Sequence, residues 1–108
     1  MNKRKLEKRE RNKKDKEWRQ KVLYKWDHTC ALCPETKRIN CHHIIPREIK
    51  MFRWDEKNAI ALCPKHHKFG LFSAHKNPLW FFGIAKNMID FEYLTNKLLN
   101  FRWDENVK

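Results

Sequence analysis

The sequence predicts a small α+β domain, with a short two-stranded β element set among helices. Three observations predict it. Of 108 residues, 41% are apolar, seven of them Phe and five Trp, so part of the chain can build a core. Two short segments rich in β-formers sit between segments with helical patterning. Two Cys-containing half-motifs, Cys30-x2-Cys33 and Cys63-x2-His66, have the two-residue spacing of metal knuckles, a common remedy for a marginal core. No run of 18 apolar residues exists, which excludes a membrane-spanning helix. Two Gly and four Pro exclude collagen-like and low-complexity chains.

Residues 3–26 read as one helix, within an N-terminal basic arm spanning 1–26. Glu7–Arg11, Glu10–Lys14, Asp15–Arg19 and Glu17–Lys21 are acid-before-base pairs at i, i+4. Trp18, Val22, Leu23 and Trp26 give its second half an apolar face. The next unit, 27–72, starts with the knuckle Cys30-Ala31-Leu32-Cys33-Pro34. Arg38 to Ile45 reads as a strand stopped by Pro46, 47–58 as a mixed loop, and Ala59 to Leu62 as a second strand. Pro64 and Gly70 bracket a short helix, Pro64 to Phe69. A helical extension, 73–101, follows. Asn77-Pro78 starts a helix whose Leu79, Phe82, Ile84 and Met88 face the core, and Asp90 caps a last helix carrying Phe91, Leu94, Leu98 and Leu99. Residues 102–108 read as a loose tail. Phe52-Arg53-Trp54-Asp55-Glu56 recurs at 101–105 with unmatched flanks, so it is no structural repeat.

Charge points to the partner. Lys and Arg number 25 against 13 Asp and Glu, a net of +12, and the pI is about 9.8. A short chain this basic favours a polyanion. Residues 1–21 alone hold eleven Lys or Arg against four acids. Lys3, Arg4, Lys5, Lys8, Arg9, Arg11, Lys13 and Lys14 are therefore candidate nucleic-acid contacts; the bland reading is a solvated tail. No apolar run follows Met1-Asn2-Lys3-Arg4-Lys5, so a secretory signal is not expected. Reduced thiols and a metal site are then expected instead of disulfides.

The two half-motifs together make a Cys3His tetrahedron of the closed, structural kind, from Cys30, Cys33, Cys63 and His66. His67 is an alternative fourth ligand, and Cys63 as a merely buried small residue is the bland alternative. Between the halves lies Cys41-His42-His43-Ile44-Ile45-Pro46. Adjacent residues of a strand point to opposite faces, so one His can ligate a metal while the other accepts a proton. His67, beside the second half-site, can join them. Cys41 reads as a small buried residue, and His75 as a surface residue at a helix entry, with a substrate contact as its alternative.

These motifs resemble the HNH nucleases of the ββα-metal fold. The resemblance rests on Cys30-Ala31-Leu32-Cys33, His42-His43-Ile44-Ile45-Pro46, Asn58 and Leu62-Cys63-Pro64-Lys65-His66-His67, in that order, and spans about residues 30–70. It implies a ββα-metal core with a zinc knuckle and cleavage of DNA phosphodiester bonds. It implies that His42 and His67 hold a catalytic divalent ion, Mg2+ or a related metal, and that His43 is the general base. It implies that Asn58 holds the loop of that base, and that Cys30, Cys33, Cys63 and His66 bind structural Zn2+. Some members carry a third metal-binding His four residues beyond the position of His67. Here that position is Leu71, so the expected site has two protein ligands.

Further expectations follow from the resemblance: a bacterial or phage-infected cytoplasm, no small-molecule substrate, no membrane, and a monomer or weak dimer. Two rivals remain open at this level. One is a zinc module that binds nucleic acid without cutting it; the other is the same chemistry directed at RNA.

Overall fold

A 23-residue helix opens the computed structural model of the chain, which describes residues 2–100. This helix, α1 (Lys3–Lys25), begins where the Asn2 side chain accepts the Lys5 N–H at 2.9 Å, an ordinary N-cap. It ends where Asp27 and His28 both take left-handed φ, 59° and 54°, a conformation that Asp and His tolerate better than most residues. That reversal turns the chain into the knuckle. Asp15, expected to pair with Arg19 along the helix, instead forms an ion pair with Arg53 at 2.8 Å.

The sheet has two antiparallel strands, β1 (Asn40–His42) and β2 (Ile60–Leu62), in the register Asn40–Leu62, Cys41–Ala61, His42–Ile60. The first strand is shorter than the expected 38–45. Arg38 takes a left-handed φ of 56°, which breaks the strand on one side. On the other, the Asn58 side chain bonds both the N–H and the C=O of Ile45 and takes them out of any ladder. The expected loop 47–58 contains a one-turn helix, α2 (Lys50–Arg53). After β2, Lys65–Phe69 form a wide helical turn closed by a bond from Gly70 N to Lys65 O at 2.8 Å. Gly70 is not left-handed, contrary to a standard helix C-cap. It is glycine for space, since a Cβ there would lie 2.6 Å from the Lys65 carbonyl oxygen.

Two further helices complete the described chain, α3 (Pro78–Ala85) and α4 (Phe91–Leu99). Their caps are those expected: Asn77 accepts from Trp80 N and Asp90 from Tyr93 N. The expected core face of α3 is wrong. Leu79 is 84% exposed, Phe82 and Met88 are also exposed, and Phe81 and Ala85 are buried instead. This helix is apolar all round, so its sequence holds no stripe to read; tertiary packing chose the face.

β2 is buried along its whole length and separates two apolar clusters. Ile60 and Leu62 pack with Cys30, Cys63, Ala74, Phe81 and Ala85. Ala59 packs with Trp18 and Val22 of α1, with Cys41 alongside. The alternation is that of a strand covered on both faces. The expected tail 102–108, and with it the second copy of the pentapeptide, lies outside the described residues. Among those described, no helix is long and apolar enough to cross a membrane.

Candidate active site and metal centres

The knuckle and the start of the wide turn bring Cys30, Cys33, Cys63 and His66 together, with their ligand atoms all within 4.8 Å of one another. Cys33 Sγ lies 3.7 Å from Cys63 Sγ, and His66 Nδ1 lies 3.3 Å from Cys63 Sγ and 3.7 Å from Cys30 Sγ. With Zn–S near 2.3 Å, a tetrahedron has edges of roughly 3.7 Å, so the spacing suits zinc. The thiols are free of disulfides. Burial pushes the Cys30 thiol up, but N–H groups from Cys63 and Leu32 outweigh it and hold the thiol below its ordinary value. Cys33 is pushed up to about 11, first by burial and then by the neighbouring thiols. Three thiolates this close coexist only around a cation. The donor set fits zinc, with His66 and not His67 completing it.

His67 belongs to a second cluster. His42, at the end of β1, meets His67 from the wide turn and His75 from the segment before α3. His42 lies edge-on to both, with ring centroids 5.2 and 5.4 Å away. His67 Nε2 and His75 Nε2 are 3.1 Å apart. Backbone bonds from Ala74 N to His66 O and from His75 N to His67 O fold the chain back and set His75 over His67. Three histidines therefore cluster where the resemblance implies two, and their ring nitrogens stand close enough to hold a metal ion. Leu71 is exposed and takes no part. Burial, with the other two imidazoles adding like charge, drives His42 down to about 4; burial and His75 bring His67 to about 4. Both are neutral near pH 7, the form that ligates a metal.

His43 stands just past β1 and outside both clusters. Its Nε2 lies 2.8 Å from the Arg53 carbonyl, and its ring stacks flat on Trp18. Burial lowers its proton affinity below the ordinary range, with the Arg53 carbonyl opposing, so it too is neutral at pH 7. Asn58 is fully buried and bonds Ile45 N, Ile45 O and Phe52 O at 2.6, 2.9 and 3.1 Å. It ties the segment after His43 to α2, whose Arg53 carbonyl faces His43. Cys41 is half-buried, and its thiol donates to Arg19 O at 3.6 Å.

His42, His43, His67 and His75 line one open cleft of about 480 Å³, together with Arg47 and Lys68. A larger cleft, about 560 Å³, lies between α1 and Glu56–Lys57 but holds no ligand-type cluster. Lys3, Arg4, Lys5, Lys8, Arg9, Arg11, Lys13 and Lys14 are all exposed on the first half of α1. Two neighbours of the cleft histidines go beyond what the sequence predicts. It assigns His75 to the surface, where it does lie, or to a substrate contact, but not to a histidine cluster, and Trp18 to packing only. A third His within ten residues of a Cys-x2-His-His motif is the available signal for the first; nothing in the sequence points to the second.

No protein-family model, curated protein or solved structure matches the chain.

Proposed function

We propose that the chain is a metal-dependent endonuclease of the HNH type that hydrolyses DNA phosphodiester bonds. One observation carries the reading: a neutral imidazole, His43, stands beside a three-histidine cluster without belonging to it, in a cleft flanked by Arg47 and Lys68. Separate metal ligands and a separate proton acceptor are what hydrolysis of a phosphodiester by one metal ion and one general base uses.

His42, His67 and His75 would hold the divalent ion. Three imidazoles suit a first-row transition ion better than Mg2+, which prefers oxygen ligands. Bound there, such an ion supplies stabilisation of charge on the scissile phosphate and the leaving 3′ oxygen. A carbonyl oxygen can only accept, so His43 carries its hydrogen on Nε2, and Nδ1 is the lone pair that takes the proton of the attacking water. Arg47 and Lys68 neutralise phosphate oxygens at the cleft. Asn58 keeps the two walls of the site in register. The Cys3His cluster holds the knuckle against β2 and takes no part in chemistry. The basic half of α1 adds affinity that is independent of sequence.

The deciding experiment is nicking of supercoiled plasmid with Mn2+, Ni2+, Zn2+ or Mg2+, with and without EDTA, beside His43→Ala. Nicking that EDTA abolishes, and that His43→Ala lowers by about 10²–10⁴, is the expected result. DNA binding without nicking under any of these ions returns the chain to the class of non-catalytic zinc modules.

A further inference from the structure

We infer that Trp18 is a positioning residue for His43, so that the basic helix α1 forms one wall of the active site. The inference rests on the nuclease reading and assigns within it a role that composition hides.

The geometry is specific. The indole of Trp18 is 4% exposed and lies parallel to the His43 imidazole, with ring centroids 4.0 Å apart and planes inclined by 5°. The indole is itself fixed, because its Nε1–H donates to the Asp55 carbonyl at 2.9 Å. One turn earlier on the same face of α1, Asp15 grips the Arg53 guanidinium through two bonds of 2.9 and 2.8 Å. The Trp54 Nε1–H donates to the same carboxylate at 2.8 Å. Residues 53–55 are therefore pinned to α1 at three points, and the Arg53 carbonyl is the group that holds His43 Nε2. α4 braces the same stretch from its other end, where Lys97 Nζ and the Tyr93 hydroxyl reach the Asp55 carboxylate.

An imidazole free to turn about its χ2 bond presents either nitrogen to a substrate. His43 has two constraints on that rotation: the Arg53 carbonyl sets which nitrogen carries hydrogen, and the Trp18 face sets the ring plane. Both constraints originate in α1, one through Asp15 and one directly. Packing alone does not require this arrangement. The buried neighbours of Trp18 in its cluster are Val22 and Ala59, and an aliphatic side chain can cover them. A flat ring laid on the imidazole needs an aromatic residue.

The test is cleavage of bis(4-nitrophenyl) phosphate, a diester too small to touch the arm, by the full chain carrying Trp18→Phe, Trp18→Leu or Asp15→Ala. Zinc content and melting temperature identify the variants that fold. Trp18→Phe keeps a ring on the imidazole and is expected to hold kcat within about threefold of wild type. Trp18→Leu is expected to lose about 10–100-fold in kcat at unchanged KM, the order of loss that follows from misplacing a reacting group by about an ångström. Asp15→Ala, at a partly exposed position outside both apolar clusters, is expected to lose several-fold in kcat and serves where Trp18→Leu does not fold. The His43 ring protons supply a second readout in NMR: the indole shifts them upfield in wild type and in Trp18→Phe less so, and Trp18→Leu returns them to ordinary values. Wild-type kcat in folded Trp18→Leu, or in Asp15→Ala where only that variant folds, overturns the positioning role and leaves the nuclease reading standing. A wild-type chain that cleaves neither this diester nor plasmid overturns the nuclease reading first, and the positioning role falls with it.

Discussion

His66 and His67 are neighbours in sequence, yet they serve two clusters that differ in almost every physical respect. His66 joins three cysteines, two of them buried, in a closed group at the heart of the larger apolar cluster. His67 joins two other histidines on an open cleft beside Arg47 and Lys68. The first set offers three soft sulfur donors and one imidazole, preorganised and with no free position, as a structural zinc site does. The second offers three imidazoles and open space, as a site that must admit substrate does. One turn of wide helix separates the two roles: it points consecutive side chains to opposite walls. Donor type and burial, more than spacing along the chain, set the two clusters apart.

The largest expected effect breaks the first cluster alone. Cys63→Ser removes a buried ligand, and in a domain with so small a core the metal free energy is folding free energy. Loss of bound zinc and of a cooperative melt is expected, followed by metal analysis and calorimetry. Cys41→Ser is the control. Burial pushes its thiol up to about 11, so it stays protonated, and it lies in neither cluster. A change of a few degrees at most is expected there. Equal damage by the two substitutions would contradict the division into clusters.

Breaking the second cluster should invert that pattern. His75→Ala removes an exposed member of that cluster, so zinc content and melting temperature should hold within a few degrees. Affinity for the added divalent ion should fall by about 10–100-fold, on the scale seen when support to a metal ligand is removed. Titrating Mn2+ into the nicking assay measures it. An unchanged metal requirement would reduce the site to His42 and His67.

His75 also shows where the sequence stops being informative. The knuckle is legible because Cys-x2-Cys and Cys-x2-His spacings are local and each half is completed within one turn. The caps Asn77 and Asp90 are legible for the same reason. The nearness of His75 to His67 is made by a chain reversal, held by two backbone bonds that no periodicity announces. The end of β1 is hidden likewise: it depends on the buried side chain of Asn58, thirteen residues beyond Ile45. Resemblance singles out Asn58, but its bonds to Ile45 and Phe52 only the fold displays. The core face of α3 escapes prediction because an all-apolar helix gives every face equal weight.

A smaller effect separates stability that depends on charge from stability that depends on metal. Burial works against ionisation of Asp55, but Lys97 and the Tyr93 hydroxyl outweigh it and hold the carboxyl below its ordinary value of 3.8. A depressed acid contributes stability above its unfolded value and loses it as pH falls through the folded one. Asp55→Asn should therefore cost about 1–3 kcal/mol at pH 7, the scale for a hydrogen bond to a charged group. In a domain of this size that is roughly 4–8 °C in Tm per kcal/mol. The gap between wild type and variant should narrow as pH is lowered towards the carboxyl's depressed range, read over the pH range in which zinc stays bound, with zinc content at pH 7 unaltered. A gap that stays constant over that whole range while Lys97→Met at neutral pH costs nothing would mean that the ion pair is not its source.

The smallest effect on fold and chemistry belongs to the residues that touch neither cluster. Residues 2–14 are exposed throughout, and they carry the candidate nucleic-acid-binding side chains Lys3, Arg4, Lys5, Lys8, Arg9, Arg11, Lys13 and Lys14. Asp15 and Trp18 follow at once and are tied to Arg53 and His43. A truncation that tests the arm must therefore end before Asp15; a cut after residue 16 would also remove the ion pair to Arg53. Deleting residues 2–14 should leave zinc content, melting temperature and turnover at saturating DNA close to wild type. Affinity for DNA of any sequence should fall, and the slope of log affinity against log salt should flatten by about 0.9 for each phosphate that the arm no longer neutralises. Binding titrations at three salt concentrations, full chain against truncated, measure both quantities. An unchanged slope makes the segment a solvated tail. A loss of turnover at saturation instead moves the boundary between arm and active site towards the N-terminus, first to Lys14, whose ammonium lies 4.8 Å from the centre of the Trp54 ring.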